Sequence, residues 1–351
     1  MKKKGKVQIA LLLCGLLLSC SHEHKNYVDA SIVEYSDFED VEDLKAEIID
    51  LDSFILAPIQ LQIYDTILAV MNSRADKLVH LFNLKSKKKV AEHISVGQGP
   101  DEMLVPRFVE NDGRSVQVSD LMTSIVSKYD SNDFMSQEEP ASIEKISLEK
   151  RPFGEVRLLN KNFVGPARKV SCLLYRFNER GEVVDSIGSY PKTSWENTDT
   201  EKIDMYAFSF ATNLQDKVAI CYNWTDLIDI YDDKGKLCNR IHGPKCFVSQ
   251  FKEFNDGKVI STSAVKDQTR DAYFCPVNVG DEFWVLFSGK SESEEGYSIL
   301  ANQIMVYGWD GSPRRILNLN KGIFAFTVDK KNKKVYGISD DPDFHILSFS
   351  Y

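Results

Sequence analysis

The sequence predicts an all-β fold, a six-bladed β-propeller of four-stranded antiparallel blades whose ring is closed by an N-terminal strand. Three observations carry this. A short apolar run ending in an aromatic recurs six times, at Phe82, Tyr129, Phe177, Tyr231, Tyr307 and Phe349. Each aromatic is followed by a turn-forming or small residue, namely Asn83, Asp130, Asn178, Asp232, Gly308 and Ser350. The intervals between the aromatics are 47, 48, 54, 76 and 42 residues, and periods of about 40–50 residues made of short strands are those of propeller blades. At 351 residues and 43% hydrophobic, the chain has the apolar content for one large core.

The chain opens on an address. Lys2, Lys3, Lys4 and Lys6 form a positive segment, and residues 7–18 are apolar apart from Gln8. This run is shorter than the roughly 20 residues a spanning helix needs, and it suits the apolar region of a signal peptide, residues 1–19. Leu17-Leu18-Ser19-Cys20 resembles a bacterial lipobox, with Cys20 the residue to be lipidated. The competing reading is an ordinary secretory signal cut near Ser19. Residues 20–43 read as a polar and acidic tether, in which His22 and His24 belong to a solvated linker. Loss of residues 1–19 leaves 39 basic against 52 acidic residues, a net charge of −13. Such a surface repels phosphate backbones, and no basic stripe with interleaved aromatics is present, so nucleic acid is not an expected partner. The basic run at Lys85, Lys87, Lys88 and Lys89 reads as a hairpin turn.

The propeller is expected over residues 44–351. In the first unit Ile59-Gln60-Leu61-Gln62-Ile63 alternates with period two, and strands follow at 66–70, 78–84 and 90–95. The second unit has strands at 124–129 and 141–148, the third at 172–177 and 182–187, and the fourth at 218–222, 227–231 and 237–241. The fifth is long, with strands expected at 259–264, 283–287, 304–307 and 315–319 and inserted loops near 266–280 and 288–300. Division of this long unit into two degenerate blades would give seven. The sixth has strands at 323–328, 334–338 and 344–349, and then lacks a fourth. An unpaired edge is a liability, so the apolar segment 44–55, which has no repeat of its own, is expected to supply the missing strand. Cys172, Cys221, Cys238, Cys246 and Cys275 are odd in number and irregularly spaced, which is no disulfide framework; only a Cys238–Cys246 pair across a hairpin stays open.

Gly97-Gln98-Gly99-Pro100 leaves the first unit, Gly188-Ser189-Tyr190-Pro191 the third and His242-Gly243-Pro244 the fourth. The first continues to Asp101-Glu102 and Pro106. This turn, following the first blade of a chain with a lipobox, resembles the TolB-like six-bladed β-propeller lipoproteins of Gram-negative bacteria. The resemblance spans residues 44–351 and the lipobox. It implies a closed propeller on a cell-envelope lipoprotein, and it carries over no catalytic residue; the membrane expected is the outer one, with the periplasmic and the surface-facing side both open.

Catalytic signatures are missing: there is no Gly-x-Ser-x-Gly, His-Glu-x-x-His, Cys-x-x-Cys or Walker loop. Asp340, Asp341 and Asp343 flank Pro342 and read as an Asx turn, with Ca2+ the one cofactor left open there. Long loops on a rigid ring are where recognition is placed. The candidate binding residues are therefore Gln98, Asp101 and Glu102 in the first turn, Trp195 in the long segment 188–204, and Asp267 and Arg270 in the fifth unit. Trp195 and Arg270 are the expected anchors. The function expected is a lipid-anchored binding or scaffold module for a protein, peptide or glycan partner, without catalysis. The rival is a propeller hydrolase or lactonase with a metal or acid pair in the central channel.

Overall fold

The computed structural model describes residues 27–351, apart from 28, 54, 110–114, 137–138 and 194. The signal segment, Cys20, His22 and His24 lie outside the described residues. Six four-stranded antiparallel blades surround a central channel. Blade 1 spans residues 58–95, blade 2 106–147, blade 3 157–187, blade 4 208–242 and blade 5 273–323. Blade 6 is made of Ala325–Asp329, Lys334–Ser339 and His345–Ser350, with Ala46–Ile48 as its outer strand.

Every repeat aromatic falls near the end of the third strand of its blade, and none is more than 2% exposed. Burying a side chain of this size is worth about 2–3 kcal/mol. In blades 1, 3, 4 and 5 the aromatic coincides with a shift in register against the outer strand, and such bulges raise local twist. The Asx residue that follows caps its own turn. The Asn83 side-chain oxygen accepts from the N–H groups of Lys85 and Ser86, and Asp130, Asn178 and Asp232 do likewise. The second and third strands are buried on both faces, as in Ser115–Asp120, because each sheet is packed between two neighbours. One apolar cluster joins Val79 and Leu81 of blade 1 to Val116 and Tyr129 of blade 2, and another joins Ile228 and Ile230 of blade 4 to Phe283 and Tyr307 of blade 5.

The N-terminal strand closes the ring as expected: Ala46, Glu47 and Ile48 pair antiparallel with Phe349, Ser348 and Leu347. The preceding residues correct the sequence reading, which placed a free tether up to residue 43. Tyr27 is buried, Ser31–Ile32 adds parallel to Leu237–His242 of blade 4, and Asp40–Leu44 adds parallel to Pro313–Ile323 of blade 5. Val33, Phe38 and Leu44 between the acidic residues are all buried. The acids of this segment face water while its spaced apolar residues fill seams, so acidity alone misread it.

The fifth unit also differs. Ile260–Ala264 pairs with Phe251–Asn255 in a separate two-stranded hairpin, and the inner strand of blade 5 is Tyr273–Asn278, inside the stretch read as a loop. The long interval therefore holds one blade plus a hairpin. Cys238 and Cys246 are both free thiols.

A chain beginning at residue 50 should melt well below the full chain; an unchanged melting temperature would show that the ring stands without its closing strand. Gly243 has φ +144°, and a Cβ there would meet the Val33 carbonyl oxygen at 1.9 Å. Gly243→Ala should cost about 1–3 kcal/mol in chemical denaturation, as overpacking does, and no loss would mean that the N-terminal segment is not held at this point.

Candidate functional site

Strand direction alternates within each blade, so its connections sort into two ends of the ring. The connections between blades, and those between second and third strands, open at one end. That end receives residues 96–105, 188–207, 243–272, 288–300 and 340–344. All the candidate binding residues named from the sequence therefore belong to the same end, although they occupy different blades.

Gln98 is exposed. Glu102 folds back to accept the Gly99 N–H at 2.7 Å, and a Cβ on Gly97 would lie 1.9 Å from that carboxylate. These glycines serve a close approach. Asp101 accepts from the Ser142 hydroxyl at 2.6 Å and pairs with Lys145 at 2.9 Å. Partial burial works against its charge, but the Ser142 hydrogen bond and Lys145 prevail and hold its carboxyl below the ordinary aspartate value. Two of the three residues thus brace the junction of blades 1 and 2.

Arg270 pairs with Glu294 and donates to the Gly289 carbonyl, which ties the segment after the hairpin to the 288–300 loop. The hydrogen bond from Arg270 holds the Glu294 carboxyl below its ordinary value. Next to it, burial raises the pKa of Asp271, which accepts from the Tyr297 hydroxyl at 2.6 Å. Asp267 is exposed at φ +68°.

Gln98 and Glu102 line a cavity of about 210 Å3, and Trp195 lines a roomier one. Residues 198–205 begin with a capping box, in which the Thr198 hydroxyl accepts the Glu201 N–H and the Glu201 carboxylate accepts the Thr198 N–H, and this starts the helix Asp199–Met205. Glu201 and Thr198 also bond Glu253, and Asp204 accepts from Thr262, so the helix grips the hairpin. A cavity of about 510 Å3 lies between them, lined by Trp195, Asn197, Met205, Ser249 and Phe251 among others. The Ser249 hydroxyl and the Asn197 side-chain nitrogen are buried without a hydrogen-bond partner, and Ser249 is 1% exposed. The Trp195 ring stands edge-on to buried Tyr27 at 6.3 Å. Sequence reasoning found Trp195 but missed Asn197 and Ser249, which carry no motif and meet only through the helix–hairpin packing.

Beneath this site blade 4 carries a buried polar core. Asp229, wholly buried, accepts two hydrogen bonds from Arg240 at 2.6 and 2.7 Å and one from Tyr222 at 2.9 Å. Burial by itself would lower the pKa of Arg240, but the hydrogen bonds and charge of Asp229 raise it above its ordinary value. Asp226 accepts the successive N–H groups of Lys245, Cys246 and Phe247 at 2.7, 2.7 and 2.9 Å. This carboxylate in a backbone cradle fixes the chain as it leaves blade 4.

The central channel is a cavity of about 430 Å3 walled by inner strands of five blades. Its acids are engaged: Glu155 pairs with Arg157, Asp65 with Lys331, and Asp329 accepts from the Asn332 N–H and side chain. Among the described residues, no three His, Cys, Asp or Glu are grouped to hold a metal, and this includes Asp340, Asp341 and Asp343.

The TolB-like six-bladed propeller-like family matches residues 37–331. The chain belongs to this family. Two solved structures share the architecture. One is a Bacteroides fragilis NCTC 9343 protein named for its expected export, 13% identical, with a TM-score of 0.51 over 91% of this chain and 99% of its own. The other is a member of the duf4221 family from Bacteroides vulgatus ATCC 8482, 10% identical, with a TM-score of 0.54 over 88% of this chain and 96% of its own. At these identities the likeness is one of fold. No curated protein matches the chain.

Asp229→Ala, which leaves Arg240 charged and buried, should destabilise the domain by about 3–5 kcal/mol. Equilibrium unfolding in urea would check this, and a loss under about 1 kcal/mol would show that water reaches the pair.

Proposed function

We propose that this propeller is a lipid-anchored envelope module, held through Cys20 at the outer membrane, that binds a peptide or glycan segment of its partner and performs no chemistry on it. The observation that carries the reading is the Trp195 cavity. Its size falls in the range of small-molecule sites, roughly 300–1,000 Å3, and it combines an aromatic wall with two buried polar groups that no protein atom satisfies. An unmet buried hydroxyl or amide costs about 1–3 kcal/mol, so a ligand that supplies partners to Ser249 and Asn197 recovers that cost on binding. Trp195 offers a flat face to a sugar ring or an apolar side chain.

Family membership and the lipobox support the envelope location, and the name of the B. fragilis neighbour agrees with export. Asp101, Glu102 and Arg270 shape the same end without facing the cavity, and Gln98 and Asp267 are free to touch a larger partner at its rim.

The test is crosslinking of the lipidated chain in its native envelope, followed by binding of the captured peptide or glycan to the purified protein. Trp195→Ala should weaken binding about 30-fold, as loss of an aromatic anchor worth about 2 kcal/mol does, and Ser249→Val should weaken it about 10-fold through a lost hydrogen bond. Binding unchanged by both substitutions would overturn this site.

A further inference from the structure

Sixteen large hydrophobic side chains are exposed among the described residues. Ten of them sit on the connections or the hairpin of one end of the ring, the end that carries the Trp195 cavity. They come from all around the ring: Leu56 precedes blade 1, Val96 follows it, Phe153 precedes blade 3, Phe254 stands on the hairpin, Ile299 belongs to blade 5 and Phe344 to blade 6. The connections of the opposite end hold one, Ile143, whose N–H bonds back to Lys128. The other five lie on the N-terminal segment and on outer strands. Scattered exposed hydrophobics are normal, but segregation to one end marks a contact surface.

The chain also enters the domain at this end. Tyr27 forms a bridge with Thr193, hydrogen-bonds Thr225 and packs on Tyr206, and all three lie in connections of this end. Cys20 is seven residues away along the chain, at most about 25 Å when extended. The hairpin is the neighbour of this entry point, through the grip of residues 198–204 on Glu253 and Thr262. Its tip bears Phe254, Val259 and Ile260, exposed by 57, 62 and 55%.

We infer that this end of the propeller rests on the lipid surface that holds the Cys20 acyl chains, with the hairpin tip dipped into it. The inference builds on the lipid-anchor reading above. An apolar rim on the end whose entry residue, Tyr27, is tied within about 25 Å of the anchor is held close to the bilayer, and hydrophobic side chains of such a tip lodge at the headgroup boundary. The net charge of −13 on the chain from Cys20 makes the contact apolar rather than electrostatic, so zwitterionic lipid is its natural surface. The Trp195 cavity then opens at the membrane–water boundary, where it meets a partner that is itself close to the membrane.

The experiment uses the full lipidated chain in phosphatidylethanolamine–phosphatidylcholine vesicles, with bromine on the acyl chains of half the samples. Phe254→Trp on the hairpin is compared with Lys234→Trp in a turn at the opposite end. Flotation of the parent chain with the vesicles, and its loss in Cys20→Ala, tests the anchor independently. Quenching of the added tryptophan in Phe254→Trp and none in Lys234→Trp supports the inference. Flotation with no quenching at Phe254→Trp overturns it while sparing the anchor, and is also the result expected if a protein covers this end. Equal quenching at both positions overturns it as well. A parent chain that does not float refutes the anchor and the inference together.

Discussion

A ring of sheets has to close, and in this chain closure governs everything N-terminal to blade 1. The outer strand of blade 6 comes from Ala46–Ile48, at the other end of the sequence from its partners. To reach it, the chain runs along the outside of the propeller, pairing with the outer strand of blade 4, then of blade 5, then completing blade 6. Three blade edges are thereby covered by one segment. Exposed strand edges invite association, and covering them removes that hazard on half of the ring. The parallel pairing needs no tight turn, because the segment adds to strands it meets only in three dimensions.

The same route fixes where the chain enters. Val33 must pass close over Gly243, and Tyr27 must lie against Tyr206, just before blade 4, and His242 at the end of it. Blade 4 is also where buried charge is concentrated. Asp229 with Arg240 and Asp226 with its three backbone donors hold the third and fourth strands and the departing loop in one arrangement. A buried pair of this kind adds little net stability, but an arrangement that separates its partners leaves a buried charge uncompensated. The result is a firm base under the helix and hairpin that frame the Trp195 cavity. Rigid scaffold below and long loops above is the division of labour expected of a binding surface.

The repeat aromatics were legible because each obeys a local rule. Phe82, Phe177 and Tyr231 end a strand, and Asn83, Asn178 and Asp232 cap the turn with their own side chains, so a few consecutive residues specify the feature. The gap in blade 6 was legible too, since three strands without a fourth leave an edge that something must fill. Tyr273–Asn278 was not legible. Its Cys275-Pro276 centre breaks period-two alternation and its register shifts against the next strand, so it read as a loop, whereas the regular Ile260–Ala264 read as the blade strand it is not. Val33, Phe38 and Leu44 were hidden by the acids around them: their burial depends on blades hundreds of residues away.

The sequence by itself determined the fold class, the number of blades and the identity of the closing strand, because periodicity, turn chemistry and edge pairing are set by neighbouring residues. Only the tertiary structure decided which loops share an end, that the N-terminal segment lies on the ring from Tyr27, and that Trp195, Asn197 and Ser249 meet around one cavity. Those depend on where distant strands pack after the ring has closed, and no local pattern encodes a meeting between the segment after blade 3 and the insertion after blade 4.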